Sequence, residues 1–274
     1  MTTIGVEQCV VLVVRFFFAI GCSFTMIRFA AIAFLIFPVG GTAYAATSLS
    51  LEVKGGVTLD ATMYAAKQPG PGLLFLNMCD PTRDQTAWNN VATALADKGY
   101  HILTFDYRGF GQSGGERPTN LRSVDEAIPY WREHWMSDVQ IAYDTLIAQE
   151  GVEASRMGIA GASCGVFMGL EFAIRHPNIK SLVLLGGPTE KSQREQLADM
   201  SEVPILLISG DERGPNEIRG TLEWSDEVFA ASNHPDTRFL KYKTVTHGTN
   251  IFELHPSTEQ MVVDWFLKTV ILTR

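Results

Sequence analysis

Short apolar runs alternate with segments of helical periodicity along residues 48–274. The continuous apolar run at residues 72–78 predicts a strand that is buried on both faces. Residues 51–53 and 58–64 precede it and predict an antiparallel pair. Further strands are predicted at residues 101–107, 157–160, 181–185, 205–209 and 239–244.

The segments between these strands have the spacing of amphipathic helices. Trp88 and Leu95 belong to one such pattern, which Gly99 ends. Ser137 is predicted to cap the next helix, residues 166–174 form another, and a capping box beginning at Ser257 opens the last. Strand alternating with helix predicts an α/β fold with a mostly parallel central sheet and helices on both faces. Functional side chains then lie at the carboxyl ends of the strands.

The first 45 residues have the composition of a leader rather than of a globular domain. A short basic start at Met26 and Arg28 precedes an apolar stretch at 29–37 and a small-x-small site at residues 43–45. This order predicts a secretory signal peptide and a mature domain at residues 46–274. Another apolar stretch precedes it at residues 10–20, and a translation start at Met26 is one explanation for two such stretches. The predicted location is secreted or periplasmic. A membrane anchor formed by an uncleaved leader is the alternative, and Arg28 in its middle disfavours it.

Composition narrows the possible partners. The chain has 274 residues, 46% of them hydrophobic, and a formal net charge of -8. Its basic residues are scattered singly, which argues against nucleic acid as a partner. No pair of histidines or cysteines has metal-ligand spacing, so no metal is expected. A small-molecule substrate is the expected partner, and the sequence does not fix the oligomeric state.

The segment Gly161-Ala162-Ser163-Cys164-Gly165 lies between a predicted strand and a predicted helix. This is the G-x-S-x-G pattern of a nucleophile elbow, in which a sharp turn lifts the serine hydroxyl above the sheet. Glycines flank the serine because neighbouring side chains would collide there. Ser163 is therefore the candidate nucleophile. The alternative is a small-residue turn without chemical function.

A serine nucleophile needs a base, and histidine is the usual one. Of the six histidines, His247 alone follows a predicted strand and precedes glycine in a loop. His247 is therefore the candidate base, and a hydrogen-bonded loop histidine is the alternative.

Three motifs occur in one order: Asp106-Tyr107-Arg108-Gly109-Phe110-Gly111-Gln112-Ser113-Gly114, the elbow, and Thr246-His247-Gly248-Thr249. In this combination the chain resembles the α/β-hydrolase family. Together with Asn77-Met78-Cys79-Asp80 and Ala162-Ser163-Cys164-Gly165, the motifs are most similar to those of its dienelactone-hydrolase-like members. The resemblance implies the α/β-hydrolase fold and a Ser-His-acid triad. Residues 188–202 are too short for a large cap domain.

The acid of the implied triad should follow the penultimate strand. The usual family spacing falls on Arg213, which cannot serve. Asp211 is ranked first, Glu212 is the alternative, and Glu190 after the preceding strand is a more distant candidate.

The oxyanion hole implied by the resemblance combines the backbone N–H of Cys164 with that of Cys79, with Met78 as the alternate. The family's loop begins His-Gly, whereas this chain has Asn77-Met78. Because both backbone N–H groups must converge on one oxygen, Cys79 and Cys164 should be neighbours. Two reduced thiols are ranked ahead of a disulfide, because a bridge so near the nucleophile would restrict the hole.

Two further segments have competing interpretations. Gly109, Gly111 and Gly114 match a dinucleotide fingerprint, but no apolar helix follows, so a structural turn is preferred and no cofactor is expected. The aromatic-rich segment at 116–136 either roofs the active site or packs onto the core.

The leading functional hypothesis is a serine hydrolase of carboxylic esters or lactones. A peptidase on the same fold and a non-catalytic binding protein on a hydrolase scaffold are the alternatives.

Overall fold

The computed structural model describes residues 46–119, 123–211 and 220–270. Eight strands in this part of the chain form one sheet in the order β1-β2-β4-β3-β5-β6-β7-β8. Their bounds are β1 (Ala46–Val53), β2 (Val57–Tyr64), β3 (Gly70–Leu76), β4 (His101–Phe105), β5 (Val152–Ala162), β6 (Ile179–Leu185), β7 (Ile205–Gly210) and β8 (Arg238–Tyr242).

Strands β1 and β2 pair antiparallel to each other, and β2 pairs antiparallel to β4. All the remaining pairs, from β4 through β3 to β8, are parallel. The α/β architecture with a mostly parallel sheet is therefore confirmed. Each predicted strand is present, with ends that differ by a few residues.

Helices cover both faces of the sheet. The bounds are α1 (Asn89–Ala96), α2 (Val124–Tyr130), α3 (Met136–Ile147), α4 (Cys164–Arg175), α5 (Lys191–Gln196), α6 (Thr221–Ala231), α7 (Ile251–Leu254) and α8 (Ser257–Thr269). One buried cluster joins α1 and α8 to the sheet. The other cluster joins α3 and α4 to the opposite face. Alternate strand residues supply each cluster, as the pleat of a sheet requires.

The prediction that Ser137 caps a helix is wrong. A helical run begins at residue 124, passes through a π-helical turn (Trp131–Trp135) and continues as α3. Ser123 caps its start by accepting a hydrogen bond from the Glu126 N–H. Ser137 lies inside the run and donates its hydroxyl to the His134 carbonyl, 2.6 Å away. The run starts earlier than predicted because its aromatic side chains bury against the core.

The predicted capping box at Ser257 is also wrong. Ser257 is the first residue of α8, and Pro256 occupies the capping position without a side-chain hydrogen bond. Proline suits a helix start because its missing N–H needs no partner there. The pattern at residues 257–260 thus predicted the start of this helix correctly, but the capping residue is Pro256 and not Ser257.

The predicted leader, residues 1–45, lies outside the described residues, as do Glu212 and Arg213. Within the described ranges, no helix is both long and apolar enough to cross a bilayer.

Candidate active site

The turn at Ser163 has the geometry of a nucleophile elbow. Ser163 joins β5 to α4 with φ 53° and ψ -119°, and it is the one non-glycine residue with positive φ in the described part of the chain. A Cβ at Gly161 would overlap the carbonyl oxygen of Gly165, and a Cβ at Gly165 would lie 2.6 Å from the Leu76 oxygen. The flanking glycines therefore permit a turn that no other residues would fit. Backbone strain at one serine is typical of functional sites.

His247 lies beside this serine. Its Nε2 atom is 3.2 Å from the Ser163 hydroxyl oxygen, within hydrogen-bond range. The histidine follows β8 and precedes Gly248, whose φ of 61° turns the chain into a short 3₁₀ helix. Gly186, at the end of β6, packs against the histidine: a Cβ there would lie 3.2 Å from the His247 Cβ. Three strand ends thus bring nucleophile and histidine together.

Cys79 and Cys164 are neighbours, as predicted. Their Cα atoms are 5.9 Å apart and a disulfide joins them across 85 residues of sequence. Cys164 is the first residue of α4 and is buried, while Cys79 follows β3 and is partly exposed. The ranking of two reduced thiols ahead of a disulfide is corrected here. The Cα separation falls in the range that a bridge requires, so bonding needs no movement of the loop.

A buried carboxylate supports the loop that contains Cys79. Asp106 follows β4 and accepts hydrogen bonds from the Asn77 side-chain amide at 3.1 Å and from the Gln85 N–H at 2.8 Å. It is 1% exposed, and burial raises the pKa of its carboxyl from 3.8 to about 6. Gly111 is required beside it, because a Cβ there would overlap the Asp106 carboxylate. Asp106, which follows β4, therefore holds both ends of the 77–85 loop.

The sequence motifs alone did not predict this support. Asp106 opens the segment that resembles the family's turn after its fourth strand, so the signal was present. Its link to Asn77 depends on the pairing of β3 with β4, which the motif alone does not reveal.

The candidate acids lie after β7 and after β6. Asp211 follows β7, its side chain is exposed, and its backbone N–H donates to the Tyr242 carbonyl at 2.9 Å. Glu212 lies outside the described residues. Glu190 caps α5 and forms an ion pair with Arg132. The engagement of Glu190 with these partners weakens its candidacy as the acid.

A cavity of about 780 Å³ opens over the serine and histidine. Its lining includes both cysteines of the disulfide and Gly187, as well as apolar side chains from the run at residues 124–131. Ile128 and Trp131 are buried in the core and also line the cavity. The two interpretations of the aromatic segment are therefore both correct, since one helical run packs on the core and roofs the site.

Most of the other side chains that line the cavity are more polar. They include Thr189, Glu190, Lys191, Arg194, Thr221 and Trp224. The Arg194 guanidinium donates to the Thr189 carbonyl at 2.8 Å and lies 3.0 Å from Glu227. Glu227 thus balances the charge of Arg194.

The glycine-rich segment after β4 is a turn. Gly109 and Gly111 have positive φ, and the Gly109 N–H donates to the Gly114 carbonyl at 2.9 Å. Irregular chain follows through residue 119. Among the residues with described positions, no group of three or more His, Cys, Asp or Glu side chains has metal-binding geometry.

The chain spans 59% of the length of one curated relative that it matches. That relative is the acyltransferase drtE of Aspergillus calidoustus, 25% identical over 192 residues that make up 65% of this chain. An uncharacterised protein of Rickettsia prowazekii is 22% identical over 183 residues, covering 66% of this chain and 70% of its own length.

Solved structures share the fold at low sequence identity. An esterase of Pyrococcus furiosus superposes with a TM-score of 0.59 at 16% identity, covering 83% of this chain and 94% of its own. A dienelactone hydrolase of Anabaena variabilis gives a TM-score of 0.57 at 19% identity, covering 83% and 99%. These likenesses confirm the fold that the sequence motifs implied.

A family model matches residues 81–218, about half of the chain, and its description is the alpha/beta hydrolase fold. The match includes the turn after β4 and the elbow at Ser163, two of the three motifs on which the resemblance was based. The eight-stranded sheet and the position of His247 after β8 agree with it. The chain therefore belongs to the α/β-hydrolase family.

Proposed function

We propose that the domain is a serine hydrolase of carboxylic esters or lactones that works through an acyl-enzyme intermediate. The observation that supports this most directly is the 3.2 Å approach of His247 Nε2 to the hydroxyl of Ser163, at a strained elbow facing a cavity. A structural turn would need neither the backbone strain nor the histidine.

In the proposed reaction His247 accepts the hydroxyl proton as the Ser163 oxygen attacks the ester carbonyl. The tetrahedral intermediate collapses, its alkoxy group leaves with the proton from His247, and the acyl group stays on the serine. Water then attacks the acyl-enzyme with His247 again acting as base. This second attack releases the carboxylic acid and restores the hydroxyl.

The negative oxygen of the intermediate needs two convergent donors. Cys164 begins α4, so its backbone N–H belongs to the unsatisfied end of a helix with partial positive charge. Cys79 supplies the second N–H in this proposal, and its Cα lies 5.9 Å from that of Cys164. Met78 is the alternate donor in this proposal, and its sulfur accepts a hydrogen bond from the Thr249 hydroxyl at 3.3 Å.

A carboxylate completes the proposed triad by orienting His247 and stabilising its protonated form. Asp211 and Glu212 both follow β7, which is parallel to β8 and its neighbour in the sheet. Asp211 remains first in this proposal and Glu212 the alternative.

Hydrolysis of p-nitrophenyl acetate and butyrate tests the proposed function. Ser163→Ala should lower kcat by about 10⁴-fold or more, because the nucleophile is lost while the fold is kept. Ser50→Ala, on the exposed side of β1, is the matched control and should behave as wild type. Near-wild-type activity in Ser163→Ala would reject the assignment.

Acyl transfer is the second candidate function, favoured by the similarity to an acyltransferase. An alcohol would replace water in the second half of the same reaction. Adding an alcohol during ester turnover and measuring the ratio of new ester to free acid separates the two. A peptidase would cleave peptide amides, and a non-catalytic binding protein would turn over neither esters nor amides.

We also propose that the protein is exported and that its mature form starts near Ala46. The basic start, apolar stretch and small-x-small site in residues 26–45 support this proposal. N-terminal sequencing of protein from the periplasm or medium tests it. An intact N-terminus in the cytoplasm or membrane would reject it.

A further inference from the structure

A second cavity of about 390 Å³ adjoins the one over Ser163. The two share four lining residues, which are Cys79, Ser123, Val124 and Trp131. The shared residues place the second cavity next to the catalytic one, on the side of Cys79 and Trp131.

The walls of the second cavity are aromatic and aliphatic. Phe110 and Trp135 pack edge to face with ring centroids 5.5 Å apart, and Trp131 stacks on Trp135 at 5.9 Å. Ala127 lines this cavity and not the one over the serine. These four residues are at most 6% exposed, so their positions are fixed by the core as well as by the cavity.

The charges near this space are engaged elsewhere. The Arg117 guanidinium lies over the Phe110 ring at 4.8 Å and donates to the Gly109 carbonyl. The Arg108 guanidinium forms an ion pair with Asp138. No acidic or basic side chain lines the second cavity among the residues that are described. The aromatic and aliphatic walls favour an apolar group.

We propose that this cavity is a second subsite, which binds an aromatic or branched apolar substituent of the ester whose carbonyl reacts at Ser163. The proposal rests on the hydrolase function proposed above and specifies its substrate class. A cavity of about 150 Å³ binds benzene in another protein, so the space here exceeds what a phenyl ring needs. Cys79 lies at the junction, where its N–H meets the carbonyl oxygen while its side chain borders the subsite.

Two series of esters show whether the acyl part or the alcohol part of the substrate occupies the subsite. The acyl series compares p-nitrophenyl 3-phenylpropanoate with p-nitrophenyl acetate, and the alcohol series compares 3-phenylpropyl acetate with ethyl acetate. Each buried methylene strengthens binding about fourfold. In one series kcat/KM should therefore favour the phenyl ester by more than tenfold. No preference in either series would overturn the proposal.

Filling the subsite should remove that preference. Ala127→Leu places three extra carbons in the second cavity, and the ratio of phenyl ester to acetate in kcat/KM should fall at least tenfold. Ala96→Leu, an equally buried alanine of α1 packed on the opposite face of the sheet, controls for overpacking and should keep the wild-type ratio. An equal fall in both variants, or in neither, contradicts the subsite.

If Ala127→Leu does not fold, Val124→Trp is the substitute test of the subsite. Val124 is partly exposed and lines both cavities, so a tryptophan there should narrow the space between them. Its ratio should also fall, whereas a wild-type ratio would overturn the proposal. Labelling of Ser163 by a small fluorophosphonate is measured in parallel. Wild-type protein that is labelled but shows no phenyl preference refutes the subsite alone, whereas protein with neither labelling nor ester hydrolysis refutes the proposed function.

Discussion

The two sides of Ser163 are built differently. On the side of the proposed oxyanion hole, Cys79 and Cys164 are joined by a disulfide, and the loop between β3 and α1 is tied to the buried Asp106. On the acid side, the chain leaves β7 at Asp211 with an exposed side chain. The backbone N–H of Asp211 donates to the strand β8.

In the proposed mechanism the two sides have different tasks. Stabilising a developing charge needs donors that are already in position before the reaction, because reorganisation would cost most of the benefit. Orienting a histidine needs one carboxylate within hydrogen-bond reach, which several positions on a loop after β7 can supply. We therefore expect the oxyanion side to be sensitive to small changes in its support and the acid side to depend on one residue.

The largest effect is expected from replacing His247, the proposed base. His247→Ala should lower kcat for p-nitrophenyl acetate by about 10⁴- to 10⁶-fold, because the base and the proton donor are lost together. His234→Ala, another loop histidine, is the matched control and should retain wild-type kcat. Activity of His247→Ala within tenfold of wild type would remove the histidine from the mechanism.

The acid side is tested by two isosteric variants. Asp211→Asn and Glu212→Gln each remove one charge, and one of them should lower kcat by about 10⁴-fold because only one carboxylate orients His247. The other should stay within about twofold of wild type. Equal, small effects in both would direct the search to Glu190, which Glu190→Gln tests.

The oxyanion side is tested by removing its bridge. The double variant Cys79→Ala, Cys164→Ala keeps both backbone donors but frees the loop, and kcat should fall about tenfold. A cross-link across 85 residues also stabilises the fold by up to about 4 kcal/mol, so the midpoint of urea unfolding should fall.

The redox state itself is read by alkylation and peptide mapping of unreduced protein. The bridge predicts that peptides containing Cys79 and Cys164 remain linked and unalkylated. Two alkylated thiols would contradict it.

A smaller effect is expected at Asp106. Burial raises the pKa of its carboxyl to about 6, above its ordinary 3.8, so the folded state binds a proton more tightly than the unfolded chain. Its contribution to stability therefore increases as pH falls from about 6 to about 4, by at most about 3 kcal/mol. Asp106→Asn lacks this contribution.

Urea unfolding at pH 7.5 and pH 4.5 checks the sign at Asp106. The free energy of unfolding of wild type minus that of Asp106→Asn should be larger at the lower pH. A difference that is independent of pH would show that the carboxyl does not titrate in this range.

The contrast between the two sides also explains how far the sequence could be interpreted. The elbow at Ser163 was predictable because glycines at fixed spacing meet a steric need within five residues. The nearness of Cys79 and Cys164 was predicted from the oxyanion hole that the family resemblance implies. The structure places both residues after adjacent parallel strands, β3 and β5, whose carboxyl ends meet at one edge of the sheet.

Other features depend on contacts that no local pattern encodes. Asp106 supports Asn77 through the pairing of two strands. Ser137 has the residue type of a helix cap, yet burial of Trp131 and Trp135 extends the helical run past it. The acid stays a prediction because two adjacent carboxylates follow β7, and spacing alone does not choose between them.

Covalent labelling tests the central claim most directly. Protein incubated with a small fluorophosphonate and analysed by intact mass and peptide mapping should gain one phosphonyl group, on Ser163, at a rate that His247→Ala lowers by several orders of magnitude. An unmodified Ser163, or a labelling rate that does not depend on His247, would contradict an activated nucleophile at the elbow.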